Sequence, residues 1–235
     1  MPTSRPARRS VALDATSADT KTRLLDAAEE LFTEHGFEAT SLRQLTAAAG
    51  VNLAAVNYHF GSKEELFQAV LTRRLDPMNQ ERIQLLEALE REPGGKPSCE
   101  KVLFAMLIPA LKLARDKERG GKNFLRVLGR AYADPAPFIR HFLHQQFAEM
   151  IGRYKEAFLR ALPHLTRQEL TWRLHFVMGA LSYTLAGTDA LKLFAQVGSA
   201  DNDELLLQRL APFLVAGLKA PALADSRKLE LVSDH

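Results

Sequence analysis

The sequence holds one cysteine, Cys99, in 235 residues. A lone thiol excludes an intramolecular disulfide framework and any cysteine-rich zinc site, and it suits a reducing compartment, here expected to be the cytoplasm. No run approaches the ~18 apolar residues that a membrane span requires. Residues Met1 to Thr20 carry Arg5, Arg8 and Arg9 but no apolar stretch of the kind an export signal needs, so neither export nor a membrane is expected. Strict apolar/polar alternation is missing too, which excludes a substantial sheet. Charge of one sign is also scarce: the net formal charge is +3. Over Met1 to Leu75, nine Lys or Arg face nine Asp or Glu, leaving no net charge. Attraction to a polyanion must therefore rest on where a few cations stand.

What is present is a chain with 46% hydrophobic residues, enough to fill a core. Its apolar residues recur at three- and four-residue spacing. The spacing predicts helices at 20–35, 42–49, 53–59, 63–91, 98–115, 121–132, 137–161, 167–196 and 203–219, an all-α chain. Turn-rich stretches separate them at Pro93 to Pro97, Arg119 to Gly121, Asp134 to Pro137 and Gly198 to Asp203. Reciprocal capping pairs mark several starts: Ser41 with Gln44, Ser62 with Glu65, Thr166 with Glu169 and Asp201 with Glu204. Pro77 inside the fourth helix removes a hydrogen bond and predicts a kink or break near Arg74 to Asp76. The segments 1–19 and 220–235 lack a sustained apolar face and are expected to be a flexible arm and tail.

The densest signal lies between Leu24 and Lys63. Leu24, Ala28, Leu31 and Phe32 share one helix face, and Gly36 suits the left-handed residue that ends such a helix. Leu42 and Leu45 point inward on the next, which Gly50 ends with a sharp turn. The third helix, Leu53 to His59, has about two turns and needs neighbours to hold it. At 100° per residue, Val56 and Phe60 face inward with Leu53 and Asn57 flanking them, while Ala54, Ala55, Tyr58 and His59 face mainly outward. Small and aromatic residues on the outer face of a short, supported helix are what a major-groove reader needs. Lys63, at the start of the fourth helix, stands where exposed N–H groups already favour a phosphate.

These residues, Thr40 to Leu45, Ala49 to Asn52 and Asn57 to Leu66, resemble the TetR/AcrR family of bacterial regulators. Within that family the run Val51 to Phe60, with Trp172 to Phe176 and Met178 to Ala180, is most similar to PsrA-type regulators of fatty-acid metabolism. The resemblance implies an N-terminal helix-turn-helix domain at 20–66 joined to a ligand-binding and dimerisation bundle at 67–219. It further implies contacts to an operator in double-stranded DNA through Thr40, Ser41, Arg43, Asn52, Ala54, Ala55, Asn57, Tyr58, His59 and Lys63. The sequence departs from the common pattern by placing Leu53, Ala54 and Ala55 where Lys, Gly and Thr are frequent, and Asn57 where Tyr is frequent. Alanine methyls are therefore expected to meet thymine methyls, with Asn57 or Arg43 making the main polar base contact. Arg5, Arg8 and Arg9 suit either a minor-groove arm or a solvated tail.

For the remainder, the resemblance implies a homodimer built on the last two helices, which carry Trp172, Phe176, Tyr183, Leu210, Phe213 and Leu214 among more apolar residues than one face needs. It also implies a small-molecule effector such as a fatty acid or acyl-coenzyme A, and no cofactor. Apolar candidates for its pocket are Phe104, Leu107, Ile108, Leu111, Leu128, Phe147, Ile151, Phe176 and Met178; polar ones are Arg126, Arg130, Arg173 and His175. For each, ordinary core packing is the competing reading. Enzyme readings are thin: His141 and His144 with Glu149 have metal-like spacing but suit a solvated face better, and Cys99 is a redox candidate only in name. A helical interaction module that does not bind DNA is the other alternative, and it leaves Tyr58, His59 and Lys63 without a role.

Overall fold

The computed structural model describes residues 8–94, 96–116, 121–133, 136–185 and 203–222. Every regular element among them is helical: α1 (Arg8–Ala39), α2 (Leu42–Ala49), α3 (Leu53–Phe60), α4 (Lys63–Glu90), α5 (Cys99–Arg115), α6 (Gly121–Ala133), α7 (Pro137–Ala161), α8 (Arg167–Leu185) and α9 (Asp203–Lys219). None of these helices is long and apolar enough to cross a membrane. Two boundaries differ from the expected ones. The first helix begins at Arg8 and not near residue 20, so part of the expected arm is helical. The fourth is one helix through Pro77, so of the kink or break expected at Arg74 to Asp76 the break does not occur. A proline costs a helix one hydrogen bond and a local clash, roughly 3 kcal/mol, and the buried residues on either side of it, Leu75 and Met78, hold the helix in register. The stretch expected to continue the eighth helix from 186 to 196, and the cap expected at Asp201, lie outside the described residues.

The helices divide into two compact units, one within Met1–Gln80, Lys112–Phe147 and Ser182–Thr188, the other within Glu81–Leu111, Ala148–Leu181 and Asp189–His235. In the first, α1 packs on α2, α3 and α6. Its core is built from Leu24, Phe32, Leu45, Val56, Leu66 and Phe124, all essentially inaccessible. A carboxylate is buried there as well: Glu29 on α1 takes hydrogen bonds from Arg73 and from Arg74 Nη2, the latter at 3.1 Å, while Arg73 also reaches Asp26 at 2.6 Å. A buried charge needs such partners, and these two arginines tie α1 to α4.

The second unit is centred on Leu86, Leu103, Tyr154, Phe158, Leu170 and Leu218. Tyr154 donates to the Arg82 carbonyl at 2.8 Å, and Arg82 Nε donates to the Met106 carbonyl at 2.9 Å, so α4 is stitched to α7 and α5. Cys99, at the start of α5, is buried. Burial, reinforced by the neighbouring Glu100 carboxylate and opposed by Lys219, pushes its thiol up to about 11. A thiol protonated at neutral pH is a poor nucleophile, which argues against a redox switch. The folded chain at pH 7.5 is therefore expected to resist maleimide until denaturant exposes Cys99, as read by mass spectrometry. Labelling of the native chain as fast as a free thiol's would contradict that burial.

Candidate nucleic-acid interface

The reading head begins with the turn that ends α1. Gly36 takes φ +80°, a left-handed backbone that a side chain resists, and diverts the chain toward Ser41. The turn leaves carbonyls that no helix satisfies. Lys63 Nζ donates to two of them, Phe37 O and Thr40 O, each at 3.0 Å, and lies 4.2 Å from the centre of the Phe37 ring. Thr40 is buried, its N–H donating to Phe37 O at 3.3 Å and its hydroxyl to Gly36 O at 2.7 Å. These contacts spend both Thr40 donors inside the protein, which corrects the expectation for Thr40, and two of the three N–H bonds of the Lys63 ammonium, leaving its third and the main-chain N–H groups at the start of α4 for the expected phosphate.

At the start of α2 the capping box forms in both directions: Ser41 Oγ accepts from Gln44 N at 3.3 Å, and Gln44 Oε1 accepts from Ser41 N at 2.8 Å. Ser41 N–H is therefore used, leaving the first-turn N–H groups of Leu42 and Arg43, which no preceding helical carbonyl can reach. The Arg43 side chain is exposed and meets no partner among the described residues. Gly50 closes α2 in the left-handed region, φ 62° and ψ 39°. Two residues on, Asn52 caps α3, its Oδ1 accepting from Ala55 N at 3.0 Å. Only the Asn52 amide donors remain for another contact.

On α3, Val56 and Phe60 are buried, as the spacing predicts. Ala54 and Asn57 are exposed, Ala55 and His59 half-buried, and Tyr58 stands 81% exposed against the His59 ring at 5.0 Å. Leu53 departs from its expected flanking position: it is 51% exposed and extends the outer face by one residue. Helical angle alone hid it. Whether a flanking position is covered depends on how far neighbouring helices reach, and the packing that buries Val56 leaves Leu53 exposed. The exposed face thus presents three successive apolar side chains, Leu53, Ala54 and Ala55, followed by Asn57 and Tyr58.

The effector candidates fall in both units. Arg173 is the clearest correction. Buried at 8% exposure, it donates to the carbonyls of Leu218 (2.9 Å), Ala220 (2.6 Å) and Pro221 (2.9 Å) and pairs with Glu169 at 2.9 Å. It closes the C-terminal end of α9 and also lines a cleft of about 310 Å³ there. Phe104, Ile151 and Phe176 are exposed at 45%, 40% and 64%, and Phe176 lines the same cleft as Arg173. Leu107, Leu128 and Phe147 are buried core, Ile108, Leu111 and Met178 are half-buried, and His175 and Arg126 are exposed. Arg130 donates to Thr33 O at 2.9 Å and lines a cleft of about 660 Å³ in the first unit. His141 and His144 are both exposed on α7.

If the Lys63 ammonium is an internal clamp, Lys63→Met should destabilise the chain by roughly 1.5–3 kcal/mol, the worth of charged hydrogen bonds, whereas Arg43→Ala should leave the melting temperature unchanged. Calorimetric unfolding of both variants checks the ranking, and the reverse order would put Lys63 on the surface.

Comparison with known proteins agrees with this geometry. Residues 24–70 match the domain described as bacterial regulatory proteins, tetR family, and residues 105–217 match the one described as tetracyclin repressor-like, C-terminal domain, together more than half of the chain. The HTH-type transcriptional regulator SrpR of Pseudomonas putida is 37% identical over 95 residues, 40% of this chain and 40% of SrpR. The HTH-type transcriptional repressor BepR of Brucella suis is 33% identical over 93 residues, 40% of this chain and 44% of BepR. The chain thus spans less than half the length of these curated relatives. The solved structure of SmeT, the repressor of the Stenotrophomonas maltophilia multidrug efflux pump SmeDEF, shares the fold with a TM-score of 0.55 at 23% identity, covering 87% of this chain and 96% of SmeT. The chain belongs to the tetR family of bacterial regulatory proteins.

Proposed function

We propose that the chain is a homodimeric transcriptional repressor that binds an operator in duplex DNA through α3 and releases it when a small apolar or acyl effector binds. The observation that carries this reading is the outer face of α3, where Leu53, Ala54, Asn57 and Tyr58 are exposed on a two-turn helix held by α1 and α2. A helix this short is unstable alone, so its exposure is bought by the packing behind it. In the major groove an apolar side chain can recognise only the thymine methyl, while Arg and Asn read purine edges. Leu53, Ala54 and Ala55 are assigned to thymine methyls, Asn57 and Arg43 to polar base contacts, and the Asn52 amide, Tyr58 and His59 to backbone positioning.

The first 75 residues carry no net charge, so a single head binds weakly and two copies are needed. The second copy is assigned to α8 and α9. In the second unit Trp172, Phe176 and Phe213 are 56%, 64% and 69% exposed, and the Trp172 and Phe176 rings stack 6.2 Å apart. Large aromatics standing together in water mark an interface, and a two-fold axis lets one patch cover its own mate. The effector class, a fatty acid or acyl-coenzyme A as in PsrA-type regulators, is supported by sequence resemblance; relatives of other effector classes, including a multidrug efflux repressor, share the fold.

A duplex enriched by the chain from a random pool should contain thymines in each half-site, and replacing them with deoxyuridine should weaken binding by about fourfold for each methyl that was buried, from ~0.8 kcal/mol per methyl. Fluorescence anisotropy reads this directly; enrichment of no sequence would sink the regulator reading. Phe176→Glu combined with Phe213→Glu should convert the dimer to a folded monomer in light scattering, and a dimer that survives both changes must use another surface.

A further inference from the structure

The cleft of about 660 Å³ lies wholly within the first unit, between the end of α1, the start of α4, α6 and the start of α7. Its walls are mostly apolar, with Phe32, Phe37, Phe67, Val127, Ala131 and Ile139 contributing. It opens to the surface beside the buried rings of Phe32 and Phe67. It falls within the range of small-molecule sites. Phe37 joins an aromatic cluster, 4.9 Å from Phe138 and 5.2 Å from Phe67. One guanidinium, that of Arg130, lines the cleft, and its bond to Thr33 O at 2.9 Å fixes its position while using one of its five donors.

We propose that this cleft is a binding site for a small aromatic carboxylate, separate from any effector chamber in the second unit. Aromatic walls favour a ring, which they meet edge to face or offset. The fixed guanidinium favours a carboxylate, which it can hold through two parallel hydrogen bonds. The rim groups His35 and Glu38 are exposed and remain in water.

The site is wired to the reading head. Phe37 is at once a wall of the cleft and the residue whose carbonyl and ring hold the Lys63 ammonium. Gly36, also on the wall, is the left-handed hinge of that turn. A ring seated against Phe37 shifts the carbonyls that Lys63 grips, and through Thr40 it shifts Ser41, the cap of α2. Occupancy therefore weakens DNA binding by disturbing the presentation of α2 and α3. This last step rests on the reading of α3 as the groove helix; binding in the cleft does not.

The test is calorimetric titration of the full chain with 1-naphthoate, for the wild type, Arg130→Gln and Ala136→Trp, the last placing an indole in the cleft. One site per chain is expected, weakened at least tenfold in Arg130→Gln and abolished in Ala136→Trp, whose melting temperature stays at the wild-type value while its DNA affinity, with an indole filling the cleft, falls to that of the ligand-saturated wild type. Saturating 1-naphthoate should weaken DNA binding by the wild type at least threefold and leave Ala136→Trp unaffected. No binding to the wild type, or binding that both variants retain, overturns the site. Binding in the cleft without a change in DNA affinity overturns the coupling. Binding in the cleft by a chain that fails to bind any DNA supports the site and sinks only the regulator reading.

Discussion

One ammonium group holds the reading head together. The turn between α1 and α2 leaves carbonyls outside any helix, and carbonyls in that position must find a donor. Lys63 supplies it from the first residue of α4, 26 residues away from Phe37 and 23 from Thr40. Its position over the Phe37 ring adds a cation–π contact to the two hydrogen bonds. The end of α1, the start of α2 and the start of α4 are thereby fixed to one point. α3, too short to stand alone, inherits its position from those three.

The same economy governs the other cations of the molecule. Arg73 and Arg74 neutralise the buried Glu29, and Arg173 satisfies the carbonyls that end α9. Arg173 is a ligand candidate on sequence resemblance, and all three guanidiniums hold structural contacts. Burying a carboxylate or ending a helix leaves a charge or a lone pair to be compensated, and arginine, with five donors in a fixed fork, does this from a distance. Among the described residues Arg43 and Lys21, the latter over the Phe60 ring, are exposed cations beside α3, and the reading surface between them keeps a low charge and high apolar content.

Most of the helices were legible because their signals are local. The capping box at Ser41 and Gln44, the left-handed glycines at 36 and 50 and the three- and four-residue spacing each act within one or two turns of chain. Where local and tertiary forces disagree, local reading failed. Pro77 predicts a kink or break, and buried flanking residues prevent the break. Leu53 lies at an angle that suggests partial cover, yet the neighbours that bury Val56 leave it exposed. The aromatic cleft beside Phe37 has no sequence signal at all, since its walls come from four helices spread over more than 100 residues.

By itself the sequence determined that the chain is all helical, where α2 and α3 start and stop, and that Val56 and Phe60 anchor a short exposed helix, because periodicity, capping and glycine conformations are properties of neighbouring residues. Only the tertiary structure decided which polar groups remain available to a partner. Lys63, Thr40 and Arg173 have the chemistry of binding residues. Both donors of Thr40, two of the three on the Lys63 ammonium and most of those on the Arg173 guanidinium are taken by groups 3 to 48 residues away in the chain, and no local spacing encodes that pairing.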